Sequence, residues 1–297
     1  MKRAVSVSLG SSSRDKQVMV HFKGEPVRIE RIGTDGHVQE ARRLFAELDG
    51  KVDALGVGGV DLYLRLSGRE YPLRAALKLV QDVKQTPVVD GRGLKHTLER
   101  RVFELASPEL DEPPHFRRAF VPVAVDRLGL AEAVAEVADE VVIGDLMIAL
   151  GIPIPIRGIG SYRRLARLLF PIVSYFPMSM LFYGSDGAEA QPKYGRYWRE
   201  ADLIAGDFLF MRKYLPDDLA GKTIITNTTT DANIDLLRAR GARVVITTTP
   251  RYEGRSFGTN MMEAALTAYA GRGRTLSDDE LNTLIDELEL RPSVQRL

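Results

Sequence analysis

The sequence predicts an α/β protein of two Rossmann-like lobes, with parallel sheets flanked by helices and a cleft between them. Strand-like apolar runs alternate with helix-period segments along most of the chain. Glycine- or hydroxyl-rich loops follow many of those runs. A proline- and acid-rich segment, "ASPELDEPPHF", separates two stretches of similar grammar. The 297 residues suffice for two lobes of about 150 residues each. We place an N-terminal α/β lobe at 1–110 and a C-terminal Rossmann-like lobe at 117–297, the latter with an apolar helical insertion over 152–184.

"AVSVSL" is the first strand, and "VMVHF" and "VRIERI" read as an antiparallel excursion. "HVQEARRLFAEL" carries Val38, Leu44, Phe45 and Leu48 at helical spacing. "VDALGVGG" is a strand ending in glycines, "LRAALKLVQDV" a second helix, and "TPVVDGRG" with "LKHTLERRVFEL" repeats the strand–loop–helix unit. Successive βα units imply a parallel sheet with right-handed crossovers. Beyond the linker, "RAFVPVAV", "LAEAVAEVA" and "EVVIGDLMIAL" restart the pattern, which resumes after the insertion with "ADLIAGD", "KTIIT", "DANIDLLRARGA" and "RVVITTTP". Ser277 and the acidic residues after it predict a capped final helix.

With 41 basic and 40 acidic residues, nothing global favours nucleic acid as a partner. The absence of cysteine excludes disulfides, thiolate metal sites and cysteine nucleophiles, and fits a cytoplasmic protein. "LLFPIVSYFPMSMLFY" (Leu168–Tyr183) is shorter than the ~20 residues of a spanning helix and contains two prolines. It reads as a buried helical hairpin or a homo-oligomer contact through 165–184, with an interfacial element as the alternative.

Ligands of open parallel sheets collect beyond the carboxyl ends of strands, so the polar loops there are the candidate site. "GSSSRD" offers Ser11, Ser12 and Arg14 to an anionic substrate, and "GVGGVD" offers Gly58, Gly59 and Asp61. Either could equally be a turn. "DGRGLKH" brings Asp90, Lys95 and His96 together as candidate acid/base groups, and Arg92 as an anion clamp. Asp145 and Asp207 follow "strand–Gly" and either hold ligand or cap helices. Asn227, Thr228 and Thr229, then Thr248, Thr249, Arg251 and Arg255, are candidate cofactor contacts, while Asp231 is expected to cap a helix. The histidines show no metal-ligand spacing, and no metal site is expected.

"VSVSLGSSSRD", "ERIGTDG", "GVGGVDLYL", "TPVVDGRGLKHTLERR", "ITTTPR" and "GRSFGTNMMEAAL" together resemble a bacterial family known as quinate 5-dehydrogenase, over nearly the whole chain. The resemblance implies an NAD(P)-dependent oxidoreductase acting on a hydroxyl of a polyhydroxylated cyclic acid such as quinate, with NAD or NADP in a Rossmann-type lobe. Chemistry would make Lys95 the base and Asp90 its orienter. The sequence departs from the quinate/shikimate dehydrogenases in lacking their "N-x-T-x-P-x-K" segment and an intact "GxGGxxxA" turn. "RYEGRSFGTNMMEAAL" also looks like the donor-binding element of two-lobed glycosyltransferases, with Glu253 and Glu263 as its glutamates. A nucleotide-sugar-dependent transferase and a non-enzymatic small-anion sensor are therefore the alternatives.

Overall fold

The computed structural model describes residues 1–110, 112–181, 194–252 and 254–297. It is mixed α/β, with parallel-containing sheets flanked by helices. Two compact units divide the chain. Unit 1 comprises Met1–Leu94, Leu168–Asp186 and Gly258–Glu289; unit 2 comprises Lys95–Arg167, Gly187–Phe257 and Leu290–Leu297.

Unit 1 is built on β1 (Lys2–Ser8), β2 (Lys16–Phe22), β3 (Glu25–Gly33), β4 (Ala54–Gly58) and β7 (Val88–Val89), with a hairpin of β5 (Tyr63–Leu66) and β6 (Arg69–Pro72). The sheet order is β2-β3-β1-β4-β7, with β2 an antiparallel edge and the other four strands parallel. The β2–β3 excursion is thus present, and β3 then pairs with β1. Ser8 stands level with both Gly33 and Gly58, so three strands end along one line. The helix Thr259–Ala270 covers β1, β3 and β4, and Asn260 donates to Ser6 Oγ at 2.6 Å. A Cβ on Gly56 would lie 3.0 Å from the Asn260 carbonyl and 3.3 Å from Ser6 Cβ, so glycine permits this close helix-on-sheet packing.

Unit 2 is built on β8 (Phe116–Val121), β9 (Ala138–Ile143), β10 (Ile156–Arg157), β11 (Leu203–Ala205), β12 (Thr223–Thr226), β13 (Val244–Thr247) and β16 (Ser293–Arg296), with a small ribbon of β14 (Arg251–Tyr252) and β15 (Arg255–Ser256). Its order is β10-β9-β8-β11-β12-β13-β16. The five inner strands are parallel and the two edges antiparallel. The chain leaves β8 for β9 on one side and returns to β11 on the other, so its direction of winding reverses beside β8. Such a reversal opens a crevice at the carboxyl ends of the two strands. Trp198, wholly buried, meets Phe120 edge-to-face at 4.9 Å within a core that includes Phe208, Met211 and Ile224.

Several expectations need correction. The division is not 1–110 and 117–297: residues 95–110 belong to unit 2, and Gly258–Glu289 returns to unit 1 because the nearly all-buried Thr259–Ala270 helix packs on the first sheet. "LRAALKLVQDV" is helical only over Arg74–Leu77; the amides of Leu79, Val80 and Val83 then bond three residues back, as in tight turns. "LKHTLERRVFEL" divides into the end of a helix over Arg92–His96 and a second helix over Val102–Ala106, with the buried Glu99 between them. The insertion does not form a buried hairpin. Its main helix, Ile159–Val173, buries Tyr162, Ala166 and Phe170 but exposes Leu168 and Ile172, and the division between units falls within it. Residues 182–184 of the insertion lie outside the described residues. Among the described residues, no helix is long and apolar enough to cross a membrane.

Candidate functional site

In unit 2 the carboxyl ends of all five parallel strands carry polar groups. Asp126 and Arg127 follow β8, Asp145 follows β9, Asp207 follows β11, Asn227 follows β12, and Thr248 follows β13. The parallel register places these ends on one edge of the sheet. Arg127 binds this edge together. Its side chain is only 6% exposed and donates to Glu99, whose side chain is fully buried, and to Asp207 Oδ2 at 3.0 Å. With the Asn227 amide oxygen turned to the guanidinium, that oxygen accepts from both terminal nitrogens at 2.7 and 2.9 Å, while the amide nitrogen donates to Asp207 at 3.0 Å. Thr248 Oγ1 donates to Glu99 at 3.1 Å. Burial disfavours the Arg127 charge, but Glu99, Asp126 and Asp207 outweigh it and hold its pKa above the ordinary value.

Three buried polar atoms belonging to this edge have no hydrogen-bond partner among the described residues: Glu99 Oε2, Arg127 Nε and Thr247 Oγ1. Buried groups of this kind are uncommon in folded proteins and mark places where a ligand can supply the missing bond.

Asp126 and Asp145 end neighbouring strands and are driven apart electrostatically. Burial would raise the Asp126 pKa, yet Lys95, with its Nζ at 3.4 Å, and Arg127 lower it below the usual carboxylate value. Asp145 is pushed up to about 7 by burial, against the amides of Ala124 and Val125, which donate to it at 2.8 and 2.9 Å; the Asp126 charge adds to the rise. Tyr162 completes the group, its hydroxyl 3.4 Å from Asp145 Oδ1. Two neighbouring carboxyls of opposed protonation are the usual arrangement of an acid/base pair. Asp145 also opens a single wide turn over Asp145–Ala149 with π-type hydrogen bonding, a feature frequent at functional sites.

The sequence-derived candidates divide between the two units. Asp90 accepts the amides of Leu62 at 2.7 Å and Arg92 at 3.1 Å, so its carboxylate fixes the loop after β7. Arg92 lies over the Tyr63 ring and 3.4 Å from Glu70, a surface contact in unit 1. Lys95 belongs to the unit-2 group through Asp126, and His96 is half-buried at the end of its helix. Thr248 and Asn227 join the Arg127 network directly.

Other candidates have structural roles. Thr229 bonds Ser256 at 2.9 Å, Thr249 donates to the Phe257 carbonyl at 2.6 Å, and Thr228 adopts a left-handed backbone at φ +53. Arg251 is held by Asp231 at 2.6 Å and by the Gly254 carbonyl at 2.7 Å, and Arg255 is half-buried in β15. Asp231 is not the helix cap: Thr230 takes that position, in a reciprocal box with Asn233. Asp207 does cap, accepting from Leu209 and Phe210, whereas Asp145 bonds the loop after β8.

In unit 1, Ser11 caps the short turn Ser12–Arg14, and the Ser12 amide donates to Asp35. Gly58 packs beside Ser8, while Gly59 has φ +85 and Asp61 lies between β4 and β5. Glu263 is buried in its helix, accepts from Leu94 N at 3.3 Å, and is pushed up to about 8 by burial and then by Asp90. Glu253 lies outside the described residues. Among the described residues, no group of three or more carboxylates and histidines could hold a metal ion.

Sequence reasoning missed Glu99, Asp126, Arg127 and Tyr162. Asp126 and Arg127 had a legible signal, being the charged pair that follows the apolar run "RAFVPVAV". Glu99 had none, because it sits among charged residues in a helix-like run.

Residues 93–297 match the family model described as Domain of unknown function (DUF8754), and residues 3–90 match Domain of unknown function (DUF8753). No curated protein matches the chain. A crystal structure from Mycobacterium smegmatis is similar at 9% identity and a TM-score of 0.31, over 95% of this chain and 93% of that one. The junction of the two family models, between 90 and 93, falls close to the Leu94/Lys95 division of the units. Since the match over 93–297 spans more than half its length, the chain belongs to the family Domain of unknown function (DUF8754).

Proposed function

We propose that the protein is an enzyme that moves a proton to or from a hydroxyl of a small polyhydroxylated molecule at the carboxyl edge of the unit-2 sheet. The observation that carries this reading is the pairing of Asp126 and Asp145 at the ends of neighbouring strands, one held ionised by Lys95 and Arg127, the other titrating near neutrality. Asp145 would exchange the proton, and Lys95 with Asp126 would hold the opposing charge. Glu99 and Arg127, each with a buried polar atom that lacks a hydrogen bond, would orient substrate hydroxyls, the Arg127 Nε standing 3.7 Å from Asp126.

The resemblance to the quinate 5-dehydrogenase family supplies a reaction class: oxidation of the carbon bearing that hydroxyl, for which NAD or NADP would accept the hydride. The turn after β8 does not fit a dinucleotide. It runs Pro122–Gly129 with its single glycine at the end, and a Cβ on Gly129 would strike the Lys95 carbonyl. The amides of Ala124 and Val125, which could face a pyrophosphate, are already bonded to Asp145. What the chain's own residues supply is the proton transfer at Asp145.

The test is a thermal-shift and turnover screen of cyclic polyols and hydroxy acids, quinate included, with and without NAD(P)⁺, on the parent and Asp145→Asn proteins. Turnover with an acidic limb near pH 7 that disappears in Asp145→Asn is expected. Turnover with the same pH profile in both proteins would reject the assignment to Asp145. Absence of NAD(P)H absorbance with every substrate would reject the dehydrogenase class alone.

A further inference from the structure

Arg14 and Arg31 in unit 1 reach the same point from different elements. Arg31 ends inward from β3, its side chain 11% exposed, and Arg14 closes the serine turn after β1. A Cβ built on Gly10 would strike Arg14 Nη2 and lie 3.1 Å from Arg31 Nη2 and 3.4 Å from Ser8 Oγ. Both guanidiniums therefore converge over Gly10, where a Cβ would displace the Arg14 fork.

Their hydrogen-bond inventories are incomplete. Arg31 spends Nη1 on the Ser11 carbonyl at 2.9 Å and on Asp15 at 2.8 Å, but its Nη2 is buried with no partner among the described residues. Arg14 Nε is buried and equally without a partner, and the Arg14 side chain makes no ion pair with the described residues. The acids nearby are already used. Asp15 takes Arg31 and the Gly33 amide, and Asp35 takes the Ser12 amide. Two cations meeting side by side repel, and burial followed by the Arg14 charge lowers the Arg31 pKa. Such an arrangement is stable when an anion sits between the two forks, because guanidinium N–H groups match the oxygens of phosphate or carboxylate. Ser12 and Ser13 are exposed in the same turn, the Ser13 hydroxyl lying 2.9 Å from Ser11 Oγ.

We infer that Arg14 and Arg31, over Gly10, form an oxyanion site that takes the phosphate or carboxylate group of a small ligand. The site lies wholly in unit 1 and is independent of the proton-transfer chemistry proposed for unit 2.

Titration calorimetry of the full chain with sodium phosphate, sodium sulfate and sodium acetate, each at the ionic strength of a sodium chloride control, tests this directly. Saturable binding of at least one oxyanion is expected. Arg14→Gln should weaken it at least tenfold while the variant, freed of the like-charge contact, melts no lower than the parent without anion. Phosphate and sulfate binding without acetate would identify a tetrahedral dianion, and acetate binding alone a carboxylate. Binding no tighter than chloride for all three anions, or unchanged affinity in Arg14→Gln, would overturn the inference. Arg31→Lys keeps the charge and removes the fork, so its loss of affinity with retained fold provides an independent check.

Discussion

Arg127 donates to Glu99 across 28 residues of sequence, and both side chains are all but removed from water. Neither charge would be tolerated there alone, since an isolated buried ion costs several kcal/mol. Together with Asp207, Asn227 and Thr248 the pair ties the segment after β8 to the ends of β11, β12 and β13.

Replacing one member should therefore cost more than an exposed ion pair would. For Arg127→Met we expect a loss of about 3–5 kcal/mol in urea unfolding, because Glu99 is left buried without its cation, and for Glu99→Leu a smaller loss, because Arg127 keeps Asp207 at 3.0 Å. The double variant should be less destabilised than the sum of the two. Additive losses would mean that the pair is not coupled.

Trp198 is the single tryptophan and is wholly buried in unit 2. Its emission should be blue-shifted in the folded protein and should report the unfolding of unit 2. The Arg127 and Glu99 variants should shift that transition. If their tryptophan transition stayed at the parent's denaturant concentration, the network would not support the unit that contains it.

Glu263 offers a test in unit 1. Its folded-state pKa, about 8, stands above the ordinary 4.5, so folding favours the protonated carboxyl. The stabilisation is complete below pH 4.5 and is lost as pH rises through 8, at about 1.4 kcal/mol per unit of displacement. Glu263→Gln should gain on the parent in stability between pH 5 and 9. Parallel stability–pH curves for the two proteins would show that Glu263 titrates normally.

Gly91 adopts φ +91, and a Cβ there would lie 2.5 Å from Thr259 Oγ1 and 2.6 Å from Asn260 N. Strain of the backbone is worth about 1–3 kcal/mol, and the clash adds to it. Gly91→Ala should lower the melting temperature by several degrees, as should displacement of the helix that begins at Thr259. A loss below about 0.5 kcal/mol, the range of neutral surface changes, would contradict this packing.

The exposed Leu168, Ile172 and Tyr175 bear on the expected homo-oligomer contact. Should that face join copies of the chain, Leu168→Glu should lower the mass measured by light scattering. A monomeric parent protein would rule the contact out.

Much of the frame was legible in local sequence. "AVSVSL", "VDALGVGG", "RAFVPVAV", "KTIIT" and "RVVIT" each hold a strand, that of "RAFVPVAV" ending at Val121 before the proline, because apolar runs bounded by glycine or polar residues are buried on both faces of a parallel sheet. Ser277 caps its helix with Glu280 in return, as its spacing requires. Asn227, Lys95, Thr248 and Arg14 were visible as polar residues at strand ends or in the loops after them.

The partners of these residues were not legible. A strand's alternation shows that Arg31 shares a face with other side chains, but only the pairing of β3 with β1 brings it to Arg14. The Thr259–Ala270 helix is apolar on nearly every side, so its sequence announces burial without naming the sheet that buries it. Glu99 looked like one charge among several until Arg127 and Thr248 met it. Sequence by itself determined the α/β alternation and the Ser277 cap, since these depend on neighbours a few residues apart. Tertiary structure alone decided which sheet receives each segment and which buried charges face one another, because those choices depend on contacts between residues remote in the chain.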